Sequence, residues 1–187
     1  MNEQFDVNDN QDAPAEKENH SGLMPMFHFK RMGRELAMQF LFQCDLAGMN
    51  DLAACMENFW SQAEHSGKFP SGRVFRKARA YAEKLIAGVC EHEDEINDII
   101  IKFSDRWDIS RMSAVDRNII RVAVFELFHC PDIPALVSIN EAIEIAKDFS
   151  SVQAGNFING ILNAIKDSLP PDAKVPVKRA SRKGTQV

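Results

Sequence analysis

The stretch from Ser113 to Phe128 constrains the fold most. Ile119, Ile120, Val122, Ala123, Val124, Phe125, Leu127 and Phe128 fall on nearly every side of a helix. A helix with no broad polar face cannot lie on a surface and has to be surrounded by other elements. Ser113 is suited to cap its start, Asp116 is an acid in its first turn, and Pro131 and Pro134 close it off. The chain should therefore be a bundle with this helix in its middle. Arg117, Arg121 and Glu126 sit on the same segment, and their expected role is ion pairing with a neighbouring helix.

The other segments read as amphipathic helices able to enclose it. Order should begin near Phe29, where Lys30, Arg31 and Arg34 precede Leu36, Ala37, Phe40 and Leu41, and this helix should stop at Ala47-Gly48. A weaker helix is expected over 51–65. Phe75, Ala78, Ala82, Leu85, Val89, His92, Ile96, Ile99 and Phe103 then recur in steps of three and four. They predict one continuous seam of about 28 residues, roughly 42 Å long at 1.5 Å per residue. His92, on that seam, is expected to be a partly buried packing residue rather than a metal ligand, and Glu91, Glu93, Asp94 and Glu95 around it a solvated face. Ser138 and Glu141 have the spacing of a capping box, which predicts a helix start near Ile139. That helix carries the stripe Ile139, Ala142, Ile143, Ala146 and Phe149. A polar turn over 150–156 would separate it from a second stripe at Phe157, Ile158, Ile161, Leu162 and Ile165. No segment alternates with a two-residue period, so the fold class is all-α, with three helices, a short connection and three more.

Charge is distributed unevenly along the chain. Residues 1–27 hold six acids against Lys17 and few large apolar groups, which predicts a disordered acidic arm; residues 170–187 hold five lysines and arginines against Asp172, which predicts a flexible basic tail. With a net charge of −5, any nucleic-acid surface has to be local. Cys44, Cys55, Cys90 and Cys130 lack CxxC pairing and lie on apolar stretches, which fits a reducing compartment. No apolar run reaches the roughly 18 residues that span a bilayer. A soluble cytoplasmic protein is expected.

Catalytic signatures are missing. There is no Gly-rich phosphate loop and no HExxH, and the five histidines are scattered. His129-Cys130 would lie about 100° apart on a helix, a poor arrangement for a nucleophile and its base. The expectation is a non-enzyme without a cofactor or metal. Lys30, Arg31 and Arg34, in contrast, stand in the first turns of a helix, where the dipole favours anions. They are either solvated, paired with an acid, or kept for an anionic partner. A second basic cluster, Arg73, Arg76, Lys77 and Arg79, is expected mainly to keep its helix soluble.

Three motifs carry a resemblance. They are Lys30-Arg31-x-x-Arg34-Glu35-x-Ala37-x-Gln39-x-Leu41-Phe42, then Ala114-Val115-Asp116-Arg117-x-Ile119-x-Arg121-x-Ala123-x-Phe125-Glu126-Leu127, then Ile139-Asn140-Glu141-Ala142-Ile143-Glu144-Ile145-Ala146-Lys147-x-Phe149 with Phe157-Ile158-Asn159-Gly160-Ile161-Leu162. Over residues 28–169 the sequence resembles the NusB transcription antitermination factors. The resemblance implies two three-helix subdomains. It also implies binding of boxA single-stranded RNA beside NusE, a small-subunit ribosomal protein, within an RNA polymerase antitermination complex that supports ribosomal RNA transcription. By position it carries RNA-phosphate contact to Lys30, Arg31 and Arg34, and places Phe42, Phe149 and Phe157 at or near the RNA surface. Stacking of unpaired bases on aromatic rings and salt-dependent attraction to cations make that set physically coherent.

The sequence departs from the family pattern at Ser150, Gln153, Ala154 and Asn156, and Met32 and Gly33 interrupt the basic run. A non-catalytic protein-interaction scaffold with reduced RNA binding is thus the alternative. Monomer and homodimer both remain open. A NusB-like domain also occurs in ribosomal RNA cytosine methyltransferases, but this sequence ends about 20 residues after its last helix, so a free-standing factor is expected.

Overall fold

The structure, a computed structural model, describes residues 24–48, 51–67, 69, 72–104 and 109–170. Apart from residues 24–27 and 170, the predicted arm and tail lie outside them. The described residues form α1 (Met24–Ala47), α2 (Leu52–His65), α3 (Arg73–Glu91), α4 (Glu93–Phe103), a short 3-10 turn (Ile109–Arg111), α5 (Ala114–His129), α6 (Ala135–Phe149) and α7 (Val152–Ser168), with no strand among them. The all-α expectation holds.

α5 is the central helix. It packs against α1, α3, α4, α6 and α7, while α1 pairs chiefly with α3 and α6 with α7. Residues Asn118 to Leu127 are all buried, and only Phe128 among its large apolar side chains reaches the surface. Each large apolar side chain of this kind contributes about 1.5–3 kcal/mol when fully buried. The amino-terminal and carboxy-terminal lobes share one continuous core, to which Leu36, Phe40, Leu85 and Ile86 bring one half and Ile139, Ile158, Leu162 and Ile165 the other.

Local signals explain several helix ends. Gly48, at φ +68°, ends α1 with its amide donating to Cys44 O at 3.1 Å, a left-handed stop that glycine allows. Asp51 caps α2 by accepting from the amides of Ala53 and Ala54; Ser113 caps α5 by accepting from Asp116 N at 3.1 Å.

Three expectations need correction. The seam over 75–103 is broken at His92, whose φ −108° and ψ 22° leave the helical region. Glu91, Glu93, Asp94 and Glu95 are exposed, as expected, and the last three form the first turn of a new helix, where the dipole favours anions. The apolar pattern runs through the break, so periodicity alone does not reveal it. Ser138 is not a cap either. α6 starts at Ala135 behind Pro134, and the Ser138 hydroxyl turns inward to donate to Glu126 Oε2 at 2.6 Å. Finally, the turn expected over 150–156 shrinks to Ser150 and Ser151, because Ser151 caps α7 by accepting from Ala154 N at 3.1 Å.

Candidate nucleic-acid interface

α1 begins at Met24, ahead of the start expected near Phe29, so Lys30, Arg31 and Arg34 lie in its second and third turns, clear of the dipole conflict expected of a first turn, and they split into two roles. Arg34 is 3 % exposed, and its Nε donates to Glu126 Oε1 at 2.9 Å while Nη1 reaches Glu141 Oε2 at 3.4 Å. Glu126 is fully buried and also accepts from the Tyr81 hydroxyl and from Ser138. One carboxylate thus ties α1, α3 and α6 to α5. Burial works against the Arg34 charge, but Glu126, Tyr81 and Glu141 outweigh it and hold its pKa above the ordinary value; burial beside Glu126 pushes Tyr81 up strongly. The expectation that Arg34 meets RNA phosphate is therefore corrected. Its guanidinium is enclosed in the junction of the lobes and committed to two carboxylates.

Lys30 and Arg31 stay near the surface. Lys30 Nζ lies 3.7 Å from Asp132 and 5.3 Å from the centre of the Tyr81 ring. Arg31 is held by Glu35 on its own helix and by Asp148, both at 2.8 Å. The two cations therefore reach toward opposite ends of α6. Asp132 and Asp148 are 64 % and 61 % exposed, and pairs of this kind contribute only about 0–1 kcal/mol, so a phosphate can take the carboxylate's place.

The pair of Arg31 with Asp148 sets that guanidinium beside the end of α6, where Phe149 is 41 % exposed. Phe157, in the second turn of α7, is 37 % exposed. Two large rings thus stand open on either side of a two-residue turn. Their neighbours in the stripes, Ala146, Ile158, Ile161 and Leu162, are buried, so the helices are fixed while these rings face water.

Phe42 is half-buried, about 18 Å along α1 from Lys30 at 1.5 Å per residue, and is not brought to the cations. One turn on, Asp45 is gripped by α5. It accepts from Asn118 Nδ2 at 2.8 Å, Arg117 Nε at 3.0 Å and Arg121 Nη1 at 3.1 Å. Burial would raise its pKa, but Asn118, Arg117 and Arg121 prevail and hold it below the usual carboxylate range. Arg117 and Arg121 thus have the structural role expected of them. In the α3 cluster Arg79 pairs with Glu64 and Glu83, and Lys77 lies over the Phe29 ring.

Sequence reasoning misses a groove of about 310 Å³ lined by Arg111, Met112, Ser113, Asp116, Ser151, Gln153, Ala154 and Phe157. The N-termini of α5 and α7 both border it, and Asp116 Oδ1 is buried there without a hydrogen-bond partner among the described residues. Ser113 and Phe157 are legible separately, but their meeting depends on tertiary packing.

The NusB family profile matches residues 31–167. The transcription antitermination protein NusB of Geotalea daltonii is 45% identical over 144 residues, covering 75% of this chain and 96% of its own; that of Myxococcus xanthus is 41% identical over 140 residues with the same shares. The solved NusB of T. maritima superposes with a TM-score of 0.64 at 32% identity, over 78% of this chain and 95% of that one. A chain from the crystal structure of antitermination factors NusB and NusE in complex with dsRNA gives 0.64 at 28% identity, over 77% and 100%. No helix among the described residues is long and apolar enough to cross a membrane. The shared helical fold around α5 and the match over most of the chain together make this protein a member of the NusB family.

Proposed function

We propose that the chain is a non-catalytic transcription antitermination factor that binds boxA single-stranded RNA together with a NusE-type ribosomal protein, within an RNA polymerase complex transcribing ribosomal RNA. The observation that carries this reading is the pair of exposed rings, Phe149 and Phe157, flanking the α6–α7 turn, with Arg31 paired to Asp148 next to Phe149. Stacking of unpaired bases on such rings is worth about 1–3 kcal/mol per base. Lys30 and Arg31 supply the backbone attraction by exchanging exposed carboxylates for phosphates, and the groove under Phe157 offers further polar groups to a base edge.

The test is the salt dependence of boxA oligonucleotide binding in the presence of the NusE-type partner. The Lys30→Ala, Arg31→Ala double variant should bind more weakly, with a slope of log K against log salt smaller by about 0.7 for each phosphate that is no longer neutralised. An unchanged slope overturns the assignment. A second reading, a protein-interaction scaffold with little RNA affinity, is favoured by one observation: both cations are already paired, with Asp132 and Asp148. RNA binding that stays undetectable with the partner present selects that reading.

A further inference from the structure

α3 and α5 approach each other unusually closely at one point. A Cβ placed on Gly88 would overlap the Phe125 ring, so only glycine lets that ring seat against the α3 backbone. One turn beyond Gly88 is His92, at the break between α3 and α4; one turn beyond Phe125 is His129, the last residue of α5. The close approach thus sets the two histidines in register. Their rings stack with centroids 4.0 Å apart, and His129 lies in turn over Phe125 at 5.2 Å. The break at His92 starts a new helix whose third residue, Glu95, folds back onto both. Glu95 Oε2 is 3.1 Å from His92 Nδ1 and 3.6 Å from His129 Nε2.

We propose that His92, Glu95 and His129 form a binding site for a divalent transition-metal ion of the zinc class, in a role separate from RNA recognition. One ligand atom from each residue lies within 4.8 Å of the other two. Tetrahedral zinc with bonds of about 2.0–2.1 Å sets its ligand atoms roughly 3.3–3.4 Å apart, close to the two distances measured to Glu95. The imidazoles are 32 % and 26 % exposed, and binding would turn them out of their stack so that the in-plane lone pairs of both nitrogens meet at the ion. Two imidazole nitrogens and one carboxylate suit zinc, nickel or cobalt and are a poor set for magnesium, which demands an oxygen shell. Glu91, Glu93 and Asp94, exposed and adjacent in sequence to His92 and Glu95, add negative charge to this end of α3 and α4, while Glu93 also pairs with Arg121. The three ligands leave a fourth position for water. A bound ion would clamp the α3–α4 break to the end of α5. That end lies about 20 Å along α5 from Asp116 and the groove with Phe157.

The test is calorimetric titration of the full reduced chain with ZnCl2, with NiCl2 and MgCl2 in parallel. It is accompanied by thermal melts and by cobalt absorption to detect thiolate ligation. One zinc per chain is expected, with Tm raised by several degrees at a large excess over Kd and no response to magnesium. Glu95→Gln, on an exposed carboxylate, and His129→Gln should each weaken binding at least tenfold, while His65→Gln leaves it unchanged. Circular dichroism checks that each variant is folded. Absence of zinc binding, binding that survives in the Glu95→Gln and His129→Gln variants, or an intense thiolate-to-cobalt band would each overturn the proposal.

Discussion

Replacing Arg34 by methionine separates the structural cation from Lys30 and Arg31, the cations proposed to meet RNA. In the native protein its guanidinium is 3 % exposed and neutralises Glu126, which is fully buried and takes further hydrogen bonds from Tyr81 and Ser138. Methionine keeps the apolar stem and its packing but strands the carboxylate. Removing one partner of a buried ion pair costs about 3–5 kcal/mol, and for a chain of this size each kcal/mol lowers Tm by about 2–4 °C, so a fall of roughly 10 °C is expected. Replacing Glu126 by leucine in the same chain removes the orphaned charge and should recover much of the loss, since apolar substitutes for buried pairs are often neutral. Calorimetric melts of the two variants measure both effects. Salt-dependent RNA titration below the melting range should give the Arg34→Met variant the wild-type slope. A variant with unchanged Tm and a flattened slope would refute the reasoning, because it would mean that Arg34 spends its charge on phosphate and not on Glu126.

Two other perturbations test the packing around α5. Asp45→Asn should cost about 2 kcal/mol at pH 7, since hydrogen bonds to charged groups contribute about 1.5–3 kcal/mol. Because the folded pKa of Asp45 is depressed, its contribution is fully present above the unfolded value near 3.9 and is lost as pH falls through the folded one; the gap between urea melts of wild type and variant should therefore begin to narrow near pH 4 and close only below the folded pKa. Gly88→Ala forces its methyl into the Phe125 ring and should cost at least the 1–3 kcal/mol of an overpacked core, read by thermal melts, whereas Gly160→Ala meets nothing and should be tolerated.

Features that depend on a single helix face were legible in the chain itself. Ser113 to Phe128 is apolar on nearly all sides, and α5 sits at the centre; Gly48 and Ser113 do at the helix ends what their residue types suggest. What was not legible depends on partners far away in sequence. Lys30, Arg31 and Arg34 are equivalent as letters, and only Glu126, 92 positions on, pulls Arg34 inside. Ser138 has the spacing of a cap, but a buried carboxylate one helix away competes for its hydroxyl and wins. His92 keeps the seam's period while the backbone breaks beneath it, because α3 and α4 both present apolar faces to α5. Phe149 and Phe157 continue the apolar stripes and would pass for core; their exposure follows from their places at the two helix ends beside a short turn.

The most direct measurement is a titration of a fluorescent boxA oligonucleotide with the full chain and its NusE-type partner, comparing wild type with Phe149→Ala and Phe157→Ala. Both rings are exposed, so the variants should melt close to wild type, and each should weaken RNA binding by about 1–3 kcal/mol, roughly five- to 150-fold. Wild-type affinity in both variants, or no binding of boxA RNA by the native protein with its partner, would contradict the claim that this helical end is a recognition surface for unpaired bases.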